Sequence, residues 1–348
     1  MLRKKEIKNL SCLIIGAGSI GRRHANNLKN IGIKKISIYD KEKTKVKEAS
    51  RILKVKKHDD LDNAVLSNPD FCVICTYPSS HIEIAKKCIK NDSHIFIEKP
   101  LSSNLNGIES LLQQAKKKNL KIGVGYNLRF DIGLNAIKKK LTKRPIGKIL
   151  SISSQWGHHI KYWRPGLNYK DHYVLKKGNG IILDDSHEYD YLRWLLNDEV
   201  KSVYCQTMKA SSIKTQTESI AIIVLKFKKG AMANLLIDYI RPTYERFCQI
   251  IGEKGSIKWQ TNPINSSSWK NYQTKSVSTV TTTTLGKKPK SEIFKFKTNH
   301  SYVSELENFI DSFLSDHEPF VSGSDALKTL KVGLAALESA NKNKVIRL

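Results

Sequence analysis

The segment LSCLIIGAGSIGRRHANNLKNIGIKKISIYD, residues 10–40, decides the fold. An apolar run from Cys12 to Ile15 opens into Gly16-Ala17-Gly18-Ser19-Ile20-Gly21, the chain then reads as helix to Asn30, and a second apolar run ends at Asp40. Strand, glycine turn, helix, strand and acid, in that order, are what a dinucleotide cradle requires. Gly16 permits the tight turn, Gly18 lets the main chain approach a pyrophosphate, and Gly21 lets helix and strand pack closely. The helix start, with Ser19 and Ile20 in it, directs N–H groups and the positive end of the helix dipole at the phosphates. Asp40 lies 19 residues beyond Gly21, placed to accept hydrogen bonds from an adenosine ribose and to repel a 2′-phosphate, which favours NAD. Lys41, Lys43 and Lys45 follow at once and offer charge to such a phosphate, so NADP stays open.

Strands and helices keep alternating beyond Asp40. Phe71 to Thr76 is a continuous apolar run of the kind buried on both faces of a parallel sheet. It breaks at Tyr77-Pro78-Ser79-Ser80-His81, putting Thr76 and Pro78 at a strand's carboxyl end, where open α/β sheets bind ligands. His81 opens the next helix and reads as a solvated cap. Ile95 to Ile97 form another buried strand, and Glu98-Lys99-Pro100 leaves it at the same edge, with Pro100 fixing the backbone from which Lys99 projects. Lys121 to Gly125 is one more strand, running into Tyr126-Asn127-Leu128-Arg129-Phe130. The alternation predicts an α/β, doubly wound parallel sheet of Rossmann type over residues 1–125.

A chain of 348 residues has room for a second domain with its own core, expected over 126–348. The formal charge of +28 raises nucleic acid as a partner, yet only 11 of the 60 basic residues are arginine, the residue that reads bases and clamps phosphates. Lysine spread along every helix fits a solvated surface that attracts an anionic small molecule, so neither nucleic acid nor membrane is expected as a partner. No apolar run approaches the length of a membrane span, and MLRKKEIKNL leads straight into the first strand, so a soluble, cytoplasmic protein is expected. Most of the cysteines sit in apolar runs; Cys72 and Cys75 lack a second ligand pair at zinc spacing, and no metal site is expected.

In the second half, Arg129 to Lys140 reads as a helix, and KILSISSQWG, VKSVYCQTM, SIAIIVLKF, AMANLLIDYI and RFCQIIGEKGSIKW read as strands. Most of these alternate apolar with polar residues, predicting an open, mostly antiparallel sheet with one wet face. Between the first strand and the acidic motif that follows, HHIKYWRPGLNYKDHYVLKKGNG is dense in aromatic and basic groups. Tyr162, Trp163, Arg164, Tyr169 and His172 are candidates to grip a polar, anionic substrate, with packed aromatic filler as the alternative. Arg241 and Tyr244 are further contact candidates. Residues 262–292, rich in Ser, Thr and Lys, read as a mobile or edge insertion. YVSELENFIDSFL and SDALKTLKVGLAALESA read as amphipathic helices closing this domain, with Ser324 and Asp325 as caps.

Five stretches in order, GAGSIGRRHANNL at 16–28, EKPLS at 98–102, GYNLRF at 125–130, GNGIILDDSHEYDYLRWLL at 178–196 and VSGSDALKTLKVGLAALES at 321–339, together resemble the Gfo/Idh/MocA oxidoreductases. The resemblance implies an N-terminal Rossmann domain, a substrate domain on an open sheet, NAD(P) as cofactor, and hydride transfer at a hydroxyl-bearing carbon of a sugar, nucleotide sugar or cyclitol. It implies that Glu98, Lys99 and Asn127 face the cofactor, that Lys99 lies near the nicotinamide and the reacting oxygen, and that His187 moves the proton and meets the substrate. Asp184 is the implied acid beside it. The family commonly spaces that Asp and His by four residues and this chain by three, which leaves Asp185 as the alternative. The wording WRPG and SHEYDYLRW is similar to a branch associated with cell-surface sugar biosynthesis, and family analogy implies a homodimer or homotetramer. Two other readings remain: tightly held NAD serving a net non-redox reaction such as epimerisation or glycoside cleavage, and a nucleotide-sensing or nucleic-acid-binding protein without catalysis.

Overall fold

The computed structural model describes residues 4–163, 168–263 and 275–348. They form two compact units, Met1–Asn127 with Tyr302–Lys328, and Leu128–Ser301 with Thr329–Leu348.

The first unit holds strands β1 Ser11–Ile15, β2 Lys35–Tyr39, β3 Lys56–Lys57, β4 Phe71–Ile74, β5 His94–Glu98 and β6 Ile122–Gly125. They pair in parallel in the order β3-β2-β1-β4-β5-β6. The interior strands are apolar on both faces because helices cover both: Leu13, Ile14, Ile15, Cys72, Val73 and Ile97 are fully buried. Each large side chain among them contributes roughly 1.5–3 kcal/mol by leaving water. The order reverses direction between β1 and β4, and a crevice at the carboxyl ends of these strands is where this topology binds ligands.

One expectation fails here. Helix His300–Leu314, read from sequence as closing the second domain, belongs from Tyr302 onward to the first unit. Its Phe309 ring lies 5.6 Å from Phe96 and 6.1 Å from Phe71, and Phe313 stacks on His94 at 4.5 Å. A Cβ on Gly123 would stand 2.7 Å from the Phe309 ring, so β6 admits this helix only with glycine there. Amphipathic spacing predicts that a helix packs, not which sheet receives it.

The second unit is built on a nine-stranded sheet in the order β14-β13-β12-β11-β7-β10-β9-β8-β15. Its strands are β7 Ile149–Gly157, β8 Val200–Met208, β9 Ile220–Phe227, β10 Met232–Asp238, β11 Glu245–Gly252, β12 Gly255–Pro263, β13 Lys275–Thr284, β14 Lys290–Lys297 and β15 Ile346–Arg347. Apart from the parallel β7/β10 pair, the neighbours are antiparallel. β9 shows the expected alternation, with Ala221, Ile223, Leu225 and Phe227 buried and Ile222, Val224 and Lys226 exposed. The inward face packs in one core with Tyr189 and Leu192 of helix His187–Leu196 and with Val332, Ala335 and Ala336 of helix Gly323–Lys342.

Over its described part, the segment 262–292 forms strands at one edge of the large sheet. Lys275–Thr284 and the start of Lys290–Lys297 are sheet strands, while residues 264–274 lie outside the described residues. Ser/Thr composition suggests poor burial, but threonine is β-branched and suits a strand, and the inward Ser278 hydroxyl accepts a hydrogen bond from Trp259 Nε1 at 2.7 Å. Among the described residues no helix is long and apolar enough to cross a membrane.

Candidate active site

In the first unit, Gly16 has φ +109°, and a Cβ there would meet the Cys75 carbonyl oxygen at 2.6 Å, so the turn after β1 tolerates only glycine. A Cβ on Gly21 would stand 1.9 Å from the Gly16 carbonyl, which fixes how closely helix Ser19–Ile31 approaches the strand. Gly18 differs: nothing lies within 4 Å of where its Cβ would be. It begins the helix without a side-chain cap, leaving the N–H groups of the first turn, where Ser19 and Ile20 stand partly exposed, to an anion. The turn fits a pyrophosphate on these grounds.

Asp40 braces the same turn. Its Oδ2 accepts from the Ala17 N–H at 2.7 Å and its Oδ1 from the Glu42 N–H at 2.9 Å. A carboxylate offers about four lone-pair sites, so ribose hydroxyls still find acceptors. Thr76 and the buried Pro78 follow β4, Lys99 and Pro100 follow β5 through a cis peptide bond, and Asn127 follows β6, all at the carboxyl edge. Lys41 Nζ lies 5.7 Å from the centre of the Tyr77 ring beyond β4.

His81 is not a solvated cap. It is fully buried, with Nδ1 3.1 Å from the Pro100 carbonyl and Nε2 3.1 Å from the Thr76 carbonyl. It therefore sits between the loop after β4 and the loop after β5, its neutral ring donating to one of the two carbonyls, and burial pushes its pKa below the ordinary value of 6.5. Glu98, the last residue of β5, is buried; its Oε2 accepts from the Lys99 N–H at 3.2 Å and its Oε1 from His24 Nε2 at 2.5 Å.

In the second unit, His187 begins helix His187–Leu196 and is 9% exposed. The chain reaches it through Gly180, at φ +141°, and a short helix, Ile181–Asp184. Asp184 Oδ1 accepts from the Tyr173 hydroxyl at 2.9 Å and Oδ2 from the Tyr239 hydroxyl at 3.1 Å. Asp185 instead pairs with Arg246 of β11 at 2.8 Å, and Arg246 Nε reaches Glu188 Oε1 at 2.9 Å. Glu188 also accepts from Ser154 at 2.6 Å and Tyr191 at 2.5 Å, which closes a buried network beside the histidine.

Of the aromatic candidates, Trp163 and His172 join one ring cluster. Trp163 packs edge-on against Tyr239 at 5.0 Å, Trp156 at 5.6 Å and His172 at 5.7 Å, and its Nε1 donates to the His158 carbonyl. Tyr169 lies under Lys161 at 5.8 Å, and Tyr162 is largely exposed. Arg164 lies outside the described residues. Arg241 is engaged by Asp238 at 2.8 Å and Glu245 at 2.7 Å, so its charge is already matched.

Sequence reading passed over Arg246, His24 and Glu305. Arg246, Cys248 and Ile250 share the buried face of β11, so a charge at an inward position of an alternating strand was the available signal. Glu305 stands on the buried stripe of its helix with Ser301 and Phe309, four residues to either side. His24 follows the glycine turn by less than one helical turn.

Each half of the chain matches a family model. Residues 10–126 match the model of the oxidoreductase family's NAD-binding Rossmann fold, and residues 138–348 that of the oxidoreductase family's C-terminal alpha/beta domain. The chain is 28% identical to myo-inositol 2-dehydrogenase of Thermotoga maritima, over 96% of this chain and 97% of that one. It is 25% identical to scyllo-inositol 2-dehydrogenase (NAD(+)) of Bacillus subtilis, over 97% and 96%. Its fold matches that of apo scyllo-inositol dehydrogenase from Lactobacillus casei with a TM-score of 0.79, at 22% identity and 98% coverage of both chains.

Proposed function

The chain belongs to the Gfo/Idh/MocA oxidoreductase family, and from that premise we propose that it reversibly oxidises a hydroxyl-bearing carbon of a cyclitol or sugar, with NAD as hydride acceptor. The observation that carries this reading is the carboxyl edge of the first sheet, which presents the clear side of Gly18, the Asp40 carboxylate and Glu98-Lys99-Pro100 together. Gly16, Gly18, Ser19, Ile20 and Gly21 hold the pyrophosphate, Asp40 the adenosine ribose, and Thr76, Pro78, Glu98, Lys99 and Asn127 the nicotinamide half. Bound there, NAD supplies the carbon that receives hydride.

The chain's own groups manage the oxygen and its proton. His187 takes the hydroxyl proton, the task for which imidazole is suited near neutral pH. Lys99 stabilises the negative charge that develops on that oxygen. The bonds of Asp184 to two tyrosines support a part in shaping the site around His187, and the Asp185–Arg246 pair supports the turn that carries it. Trp163, Tyr169 and His172 surround the substrate.

The inositol dehydrogenases among the relatives favour a neutral cyclitol. The +28 charge and the WRPG wording favour an anionic sugar of surface-glycan synthesis as the second reading. The outward face of the large sheet, where Ile222, Val224, Met232 and Ile251 are 41–52% exposed, supports assembly as a homodimer or homotetramer. The test is a screen of inositols, sugars, uronic acids and nucleotide sugars for NADH absorbance, with NAD and NADP in parallel. NADH formed from a polyol supports the reading; no reduction of either cofactor by any of them rejects it.

A further inference from the structure

Behind the Lys99 motif, three ionisable side chains from different elements meet out of contact with water. His24 comes from helix Ser19–Ile31, Glu98 from the end of β5, and Glu305 from helix His300–Leu314; they are 0%, 8% and 2% exposed. One donor atom from each lies within 4.8 Å of the other two. His24 Nε2 and Glu98 Oε1 are in short contact, and Glu98 Oε2 takes the Lys99 N–H. Glu305 has no hydrogen-bond partner for either oxygen among the described residues.

Two chemistries suit such a trio, a bound divalent cation or a shared proton. The geometry separates them. Two ligands on a tetrahedral zinc, each about 2.0–2.1 Å from the metal, stand roughly 3.3 Å apart. His24 and Glu98 are 2.5 Å apart, the spacing of a hydrogen bond between them. A cation is already close by, since the Arg23 guanidinium sits 4.5 Å over the Tyr302 ring one turn before Glu305, and its charge acts on Glu305. A second buried cation is not called for.

An ionised Glu305 would be a buried, unbonded anion beside Glu98, which is far more costly than the neutral acid. Burial first, and the Glu98 charge second, push the Glu305 pKa well above 4.5, with Arg23 opposing. Cys75 feels both acids and His81 feels Glu98. A proton on Glu305 makes it a donor, and the Glu98 carboxylate is the acceptor beside it.

We propose that Glu305 is a positioning residue for hydride transfer: as an uncharged acid it joins His24 in clamping Glu98, and Glu98 in turn holds the Lys99 main chain at the end of β5. This rests on the reading of Lys99 given above. Glu305 touches no reacting atom, and its effect runs through the orientation of Lys99.

The test compares wild type with Glu305→Gln, Glu305→Leu and a Lys99→Ala control. Infrared difference spectra at pH 7 on the purified protein alone, Glu305→Gln against wild type, report whether a protonated carboxyl is present. Metal content is measured on the same samples, and kinetics use NAD with myo-inositol or the best polyol of the screen. The proposal expects a protonated-carboxyl band that is lost in Glu305→Gln. It further expects Glu305→Leu to lose at least tenfold in kcat with KM for NAD changed less than threefold, and Glu305→Gln to recover most of that loss. Should Glu305→Leu fail to fold, the infrared band and the Glu305→Gln kinetics decide. Absence of the band, stoichiometric metal bound by wild type and lost in Glu305→Gln, Glu305→Gln as impaired as Lys99→Ala, or Glu305→Leu at wild-type kcat each overturn it. These failures occur with Lys99→Ala inactive; an active Lys99→Ala instead overturns the assignment of Lys99 itself, and the positioning role with it.

Discussion

Arg246, at the start of the buried face of β11, holds Asp185 at 2.8 Å, two residues before His187 begins its helix. The same guanidinium reaches Glu188 at 2.9 Å and lies 5.4 Å from the centre of the Trp156 ring. Arg246→Ala leaves two buried carboxylates without their cation, and breaking such a pair costs about 3–5 kcal/mol. Denaturant unfolding should show a loss of that order, and kcat should fall with it. Arg246→Lys, unable to span both acids as a planar fork, should recover only part of the stability. A stability within 1 kcal/mol of wild type for Arg246→Ala would remove this network from the account.

Asp40 braces the glycine turn, because its two oxygens take the Ala17 and Glu42 N–H groups, and the proposed function gives it the adenosine ribose as well. Asp40→Ser should cost about 1–2 kcal/mol through those lost bonds. It should also move preference toward NADP by tenfold or more, since a repelling charge is gone while Lys41 and Lys43 remain. Ratios of kcat/KM for the two cofactors check this; an unchanged ratio would place the ribose elsewhere.

His94 gives the fold an acid sensitivity. It stacks on Phe313, and Nδ1 accepts from the Lys121 N–H at 3.0 Å. Burial first and the Lys121 charge second push its pKa from 6.5 to about 4. A histidine depressed in the fold binds its proton more readily when unfolded, so its contribution is complete above pH 6.5 and is lost as pH falls toward 4. The melting temperature of wild type should drop over that window more steeply than that of His94→Asn, measured by calorimetry from pH 8 to pH 4.

The exposed face of the large sheet carries Ile222 and Val224 on β9, opposite Leu236 and Asn234, and Met232 on β10, opposite Lys226. Exposed large apolar side chains on one sheet face are what the proposed assembly would cover. Ile222→Glu combined with Val224→Lys should shift the mass measured by light scattering to that of the 39.5 kDa monomer, leaving the far-UV spectrum unchanged. A wild type that is already monomeric would refute the assembly.

What the sequence made legible follows from where the physics is local. Gly16 and Gly21 announce themselves because no other residue fits a turn and a contact that close. Runs such as Phe71 to Ile74 announce a buried parallel strand because every position is apolar. His81, Glu305 and Arg246 were hidden for the opposite reason. Their meaning depends on partners far away in the chain, Pro100 for His81, Glu98 for Glu305 and Asp185 for Arg246, and no spacing within one element reports such a pairing. The helix at 300–314 was visible as a helix, while its choice of sheet depended on the room left by Gly123.

The central claim is that Lys99 and His187 act on the oxygen of a polyol while the glycine turn holds NAD. Single-turnover formation of NADH, with enzyme in excess over NAD and the polyol identified by the screen saturating, tests it most directly. The account predicts a full equivalent of NADH in wild type, and rates lowered by roughly 10²–10⁴ in Lys99→Ala and His187→Ala, with NAD affinity held within threefold. Wild-type rates in either variant, or a loss explained wholly by failure to bind NAD, would contradict it.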